Sequence, residues 1–194
     1  MRSELTLYHP TVWRTCRALM NERRLACLAV VLKTPGLSVG EIAVEAGLPQ
    51  NQASMNLRTL QARGLIVARR EGVHIRYFAE PDPLVNHASA VLEAVRRELK
   101  NGDGHKSDRL LETLRAFTHS RRLTILKCLA LQAEATTEEL VVRARISQPA
   151  VWRHLKTLRT SGLVSATKDG AWKLMARRSL PALAHKLLHV IENG

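Results

Sequence analysis

The run Ile146-Ser-Gln-Pro-Ala-Val-Trp-Arg-His-Leu-Lys-Thr-Leu158 decides the fold. Val151, Leu155 and Leu158 are spaced to share one face of a helix, with polar and basic residues between them, so the spacing predicts a helix over 148–161. Just upstream, Thr136-Thr-Glu-Glu139 has the form of a capping box, in which a hydroxyl accepts from the third backbone N–H while the third carboxylate reaches back. A short helix opened by that box, a turn of a few residues and the 148–161 helix read together as a helix-turn-helix. Beyond Gly162-Leu163 the apolar period shifts towards two. Residues 164–175 therefore read as a β-hairpin wing turning at Asp169-Gly170, a pair favoured at positive φ, before a last helix over 179–193.

The whole pattern occurs twice, at an offset of 98 residues. Ala18-Leu-Met-Asn-Glu-Arg-Arg-Leu25 lies over Ala116-Phe-Thr-His-Ser-Arg-Arg-Leu123, Asn56-Leu-Arg-Thr-Leu60 over His154-Leu-Lys-Thr-Leu158, and Gly64-Leu65 over Gly162-Leu163. Fifteen of the forty-nine positions from 17 to 65 are identical, against about three expected by chance from ordinary composition. The chain is a tandem duplication. In the first copy, helices over 14–20 and 22–32, or one bent helix, precede the box Ser38-Val-Gly-Glu41, and a short helix ends near Gly47. A helix over 50–63 with Ala53, Leu57 and Leu60 inward, a hairpin over 67–78 turning at Glu71-Gly72, and a helix over 83–100 complete it. That last helix has an apolar stripe of Leu84, Ala88, Val91, Leu92, Val95 and Leu99, which needs cover from its twin or from a second chain. Residues 101–108, rich in Gly and polar side chains, read as a flexible connector, dividing the chain near Gly102 into domains 1–102 and 103–194.

In tandem, these residues resemble the ArsR-type winged helix-turn-helix repressors. The resemblance rests on Arg23-Arg24-Leu25, Ser38-Val-Gly-Glu-Ile-Ala43, the 146–158 run, Gly162-Leu-Val164 and the glycine-turned wing, and covers most of 14–99 and 110–191. It implies a mainly α fold with small β-hairpin wings (α+β), and pairing through first and last helices. With both copies in one chain, that pairing becomes an intramolecular pseudo-dimer, with a homodimer of tandem chains as the other possibility. The implied activity is sequence-specific binding of double-stranded DNA by a transcriptional regulator, a repressor, that is cytoplasmic and nucleoid-associated.

Charge agrees with that expectation. Thirty Lys and Arg against seventeen Asp and Glu give a net charge of +13, split as +5 for residues 1–102 and +8 for 103–194. An excess of that size points to nucleic acid or an anionic surface. Arg58, Arg63, Arg69, Arg70 and Arg76 in the first copy, and Arg153, Lys156, Arg159, Lys168, Lys173, Arg177 and Arg178 in the second, fall on the second helix of each motif and on the wings. Phosphate contacts supply affinity and base edges supply discrimination. For bases the second copy offers Gln148, Trp152, Arg153 and His154, with Arg suited to guanine. The first offers Gln50, Asn51, Gln52, Ser54 and Asn56, suited to adenine edges. Unlike reading heads imply an asymmetric operator.

Other classes are disfavoured. No nucleophile–base pair, phosphate-binding glycine loop or catalytic carboxylate pair stands out, so no enzyme and no cofactor is expected. The longest apolar run, 25–32, is far short of a membrane span, and residues 1–10 do not read as a secretory signal. Cys16, Cys27 and Cys128 lack paired spacing and read as buried thiols. His185, His189 and Glu192 share a helical face, with His87 the counterpart of His185. These four are the metal candidates, against a reading as surface or interface side chains. The competing function is a tandem winged-helix scaffold for protein partners in a chromosome-associated or other complex.

Overall fold

The computed structural model describes residues 11–100 and 104–193. The first copy comprises α1 (Val12–Leu19), α2 (Glu22–Lys33), α3 (Val39–Glu45), α4 (Gln50–Ala62), the hairpin β1 (Val67–Glu71) and β2 (His74–Phe78), and α5 (Ala88–Lys100). The second repeats it as α6 (Gly104–Ala116), α7 (Ser120–Leu131), α8 (Thr137–Ala144), α9 (Gln148–Thr160), β3 (Val164–Ala166), β4 (Trp172–Leu174) and α10 (Ala182–Asn193). These are two winged helix-turn-helix units in tandem, mainly helical with a two-stranded antiparallel wing each.

Short-range chemistry sets the helix starts. Ser38 Oγ accepts from Glu41 N at 3.4 Å while Glu41 Oε2 accepts from Ser38 N at 2.7 Å. Thr136 and Glu139 make the same reciprocal pair at 3.2 and 2.8 Å. Gly47, at φ 63°, ends the α3 turn; at the matching position α8 is closed by Arg145 at φ 51°. An L side chain in that left-handed region costs about 1–2 kcal/mol relative to the ordinary helical well. The repeated Arg-Arg-Leu also has a structural task. The second arginine of each pair satisfies a carbonyl at the end of the preceding helix: Arg24 Nη1 donates to Ala18 O at 2.5 Å, and Arg122 Nε to Ala116 O at 2.9 Å. Otherwise unpaired helix-end carbonyls are thereby tied to α2 and α7.

Each unit closes around α2–α4 or α7–α9, where Leu28, Ile42, Leu57 and Leu60, or Ile125, Leu140, Leu155 and Leu158, are fully buried. Removing a buried side chain of this size to Ala costs about 2–5 kcal/mol. The terminal helices join the halves: α5 packs on α10 and α1 on α6, with Val91, Leu92 and Val95 facing a seam that also buries Leu187 and Leu188. Glu93 on α5 pairs with Lys186 on α10 and, at 2.6 Å, with Arg97 on its own helix.

Several boundaries differ from the sequence expectation. Helix α6 begins at Gly104, so 104–108 is helical rather than connector, while 101–103 lie outside the described residues. Glycine is tolerated at a helix start, and nothing after it breaks the helix. Helix α5 begins at Ala88, not 83, because Asp82 Oδ1 accepts from Leu84 N at 2.9 Å and holds a turn; Leu84 is exposed instead of lying on the apolar stripe. Helix α10 likewise starts at Ala182, after a single 3-10 turn at Arg177–Ser179. In the first wing Glu71 pairs with His74, which leaves Gly72-Val73 as the two-residue loop, one step beyond the expected turn. In the second, Ala166 pairs with Trp172, so Asp169-Gly170 sits within a longer loop over 167–171.

Candidate nucleic-acid interface

Helix α9 buries Val151, Leu155 and Leu158, which leaves Trp152, Arg153, Lys156 and Arg159 exposed on its other side together with Gln148 at its start. Trp152 meets Trp172 of β4 edge to face, with centroids 5.7 Å apart, a contact that joins the helix to the wing. Lys168 and Lys173 extend the basic surface along the wing. Among the described residues, Arg153, Lys156, Lys168 and Lys173 have no carboxylate partner. Their charge is open to an external anion.

The first copy has the same frame and a different electrostatic state. Arg69 Nη2 pairs with Glu80 Oε2 at 2.5 Å and lies over the Phe78 ring at 4.7 Å. Arg76 Nη1 donates to Glu41 Oε2 at 2.8 Å, joining the wing to the capping box of α3. The Ser38 hydrogen bonds, and after them Arg76, hold the Glu41 carboxyl below its ordinary pKa, so it stays ionised opposite the guanidinium. Arg70 donates to Gly72 O at 3.2 Å, and Arg58 is exposed. On α4, Gln50 and Asn51 are exposed and Ser54 is half-buried, while Gln52 Oε1 accepts from Arg23 Nη1 at 2.9 Å. Gln50, Ser54 and Arg58 line a concave surface of about 680 Å³ between α4 and the wing, closed by Val73, Ile75 and Tyr77.

Two expected base readers face elsewhere. Asn56 is only 9% exposed, and His154 is half-buried with its ring 4.7 Å from that of His119 at the start of α7. These residues are counterparts in the repeat, and spacings of three and four from inward residues turn both towards the preceding helix. Desolvation, then His119 and Arg122, push His154 down to about 4. The unfolded chain, with an ordinary value near 6.5, therefore binds a proton that the fold resists. Stability from the neutral imidazole is complete above pH ~6.5 and is lost as the pH falls towards 4. Thermal denaturation should accordingly show a smaller drop in Tm between pH 7 and pH 5 for His154→Gln than for the parent chain; equal drops would disprove this placement.

Sequence reasoning missed the exposed apolar residues of the first copy. Met55 on α4 is 68% exposed, and Val73 and Ile75 on the wing are 86% and 52% exposed. The repeat offered a signal, since Met55 stands where the second copy has Arg153. The metal candidates are not assembled. His87 Nε2 lies 2.8 Å from Thr15 Oγ1 and is buried, whereas His185 and His189 are exposed on α10. Among the described residues no group of three His, Cys, Asp or Glu is placed to hold a metal ion. Burial pushes the thiols of Cys16, Cys27 and Cys128 up, away from the reactive thiolate form. Among the described residues no helix is long and apolar enough to cross a membrane.

Comparison with known proteins divides along the same line as the repeat. The model of the bacterial regulatory protein arsR family matches residues 119–166, and that of the MarR family matches residues 20–76. A curated relative, an uncharacterized HTH-type transcriptional regulator from Methanocaldococcus jannaschii, is 33% identical over 67 residues, covering 34% of this chain and 75% of that protein. The resemblance drawn from the residues thus extends to two related winged-helix families, one for each copy.

Proposed function

This chain belongs to the helix-turn-helix transcriptional regulators, and from that premise we propose that it is a repressor binding one asymmetric operator as an intramolecular pseudo-dimer. The copies divide near Gly102, each supplying one winged helix. The observation that carries the reading is the set of open cations on α9 and its wing, Arg153, Lys156, Lys168 and Lys173. Cations without carboxylate partners release counterions when they meet phosphates, which is the main source of affinity for a duplex. The packing of α5 on α10 and of α1 on α6, with the Glu93–Lys186 pair across the seam, supports pairing within one chain. Two half-sites one helical turn apart require recognition helices about 34 Å apart.

Within this scheme Arg153 reads guanine, Gln148 and Trp152 accompany it, and Lys156, Lys168 and Lys173 hold phosphates. In the first copy Gln50 and Asn51 face the bases, and Arg58 and Arg70 the backbone. Arg69, Arg76 and Gln52 act chiefly in positioning, through Glu80, Glu41 and Arg23. The working place of such a protein is the nucleoid. One observation favours a second reading for the first copy. Met55 on α4 and Val73 and Ile75 on the wing are exposed apolar side chains in the copy whose arginines are paired, the composition of a protein-docking scaffold rather than of a phosphate track.

Hydroxyl-radical footprinting on the duplex upstream of the chain's own gene separates the two readings. The operator reading expects two protected tracts about one turn apart, unequal in strength, at one chain per duplex. A single tract would assign DNA to the second copy and protein to the first, and two chains per site would replace the pseudo-dimer with a homodimer.

A further inference from the structure

A small cavity of about 200 Å³ lies between the start of α2 and the middle of α4. Organic ligands usually occupy about 300–1,000 Å³, so this space suits a small ion with a few waters. Asn21, Arg23 and Arg24 line it from the α2 side, and Asn56 and Thr59 from α4. Asn56 is only 9% exposed, yet among the described residues its carboxamide has no hydrogen-bond partner. A buried amide left unpaired is costly and calls for a partner from outside the chain, a water or an ion.

The charges around the cavity favour an anion. Arg24 donates through Nη1 to Ala18 O, but its Nε is buried without a partner, and so is Nε of Arg63 just past the end of α4. Burial, and then the charge of Arg63, pull the Arg24 guanidinium below its ordinary pKa, so the two cations stand close enough to repel each other. Neither has a carboxylate partner among the described residues. The positive end of the α2 dipole adds to the same field, where Asn21 caps the helix by accepting from Arg24 N at 3.0 Å. Glu22, in the first turn of α2, is exposed and does not line the cavity.

The second copy treats the same place differently. Asn21 and Asn56 correspond to His119 and His154, whose rings lie 4.7 Å apart, and Gln52 and Arg63 correspond to Ala150 and Ser161. Two rings thus meet where the first copy presents two amides, and a guanidinium is lost beside them. The cation gained in exchange, Arg153 for Met55, is exposed.

We propose that the α2–α4 cavity of the first copy is a site for one small tetrahedral oxyanion of the phosphate class, held by Asn56 and Arg24 inside and by Arg23 at the rim. Arg23 Nη1 already donates to Gln52 Oε1, which orients the guanidinium and leaves its other donors for the ion. The oxyanion has two sources, a phosphate of the duplex backbone or free phosphate. The first source rests on the DNA-binding reading above; the site itself does not.

The first arm of the test titrates inorganic phosphate into the full chain without DNA, at constant ionic strength, by isothermal titration calorimetry. The expected result is one phosphate per chain, weakened roughly tenfold or more in Asn56→Leu, in Asn56→Asp and in the double variant Asn21→His with Asn56→His. Circular dichroism of each variant identifies any loss of fold, and Asn56→Asp, nearly the same shape as the parent, keeps the test open if another variant fails to fold. Phosphate binding that is unchanged in these variants would overturn the site. The second arm is a salt titration on the footprinted duplex. A slope of log K on log salt that falls by about one in Asn56→Asp assigns the site to a backbone phosphate, and an unchanged slope beside weakened phosphate binding assigns it to the free ion. No phosphate binding by the parent chain together with an unchanged slope would overturn the proposal, whatever the affinity for DNA.

Discussion

Replacing Arg153, Lys156, Lys168 and Lys173 together by Gln is expected to weaken binding to the operator duplex by roughly a thousandfold or more near physiological salt. A bidentate Arg–guanine contact contributes about 1–3 kcal/mol, and each phosphate neutralised contributes about 0.9 to the slope of log K on log salt. All four side chains stand without a carboxylate partner among the described residues, so none must leave an internal ion pair to reach DNA. The matching change in the first copy, Arg58, Arg69, Arg70 and Arg76 to Gln, should cost far less, about tenfold, because Arg69 is held by Glu80 and Arg76 by Glu41. Fluorescence anisotropy on the two quadruple variants measures the difference. Equal losses would mean that the Glu80 and Glu41 pairs open on binding and that the copies share the affinity.

Making the operator symmetric is expected to give the second large effect. If α9 reads with Arg153 while α4 presents Met55 at the same repeat position, the half-sites cannot be interchangeable. A duplex carrying two copies of the second half-site sets α4 against bases it does not match. Each mismatched pair costs about 1–3 kcal/mol, so two or three of them lower affinity by about a hundredfold or more. Reversing the design, with two copies of the first half-site, should be worse still, since it removes the guanine contact of Arg153. Competition assays with the natural duplex and both symmetrised forms would show this order. A symmetrised site that competes as well as the natural one would mean that the first copy reads no sequence.

What the sequence made legible was local. The boxes at Ser38–Glu41 and Thr136–Glu139 and the Leu57-x-x-Leu60 and Leu155-x-x-Leu158 spacing act within a few residues and recur in the structure, while the wing glycines keep positive φ in turns placed differently from the expected pairs. Interactions across longer distances were hidden. The Arg76–Glu41 pair joins positions 35 apart and Arg69–Glu80 positions 11 apart, so a list of basic residues could not tell which charges were already paired. Asn56 and His154 lie on the helices suited to reading bases, but Asn56 is buried and the His154 ring lies against His119 at the start of α7. Residues 83–87 have the apolar spacing of a helix, but Asp82 closes a turn over them first, so α5 starts only at Ala88. The cavity lined by Arg24 and Asn56 depends on how α2 and α4 meet, which no single stretch encodes.

The two copies are therefore unequal. Duplication supplied two equal frames. One copy carries cations without carboxylate partners among the described residues on α9 and its wing, and the other has paired arginines and an apolar tip at Val73.

The most direct test of the central claim, that this chain holds duplex DNA through the open cations of its second winged helix with support from the first, is a salt titration of the wild-type chain on its own upstream duplex by fluorescence anisotropy. Arg153, Lys156, Arg159, Lys168 and Lys173, with Arg58 and Arg70, can neutralise several phosphates, so the expected log–log slope lies at about −4 to −6. A flat dependence on salt, or no binding at low salt, would contradict the account and leave the tandem winged helices as a scaffold for protein partners.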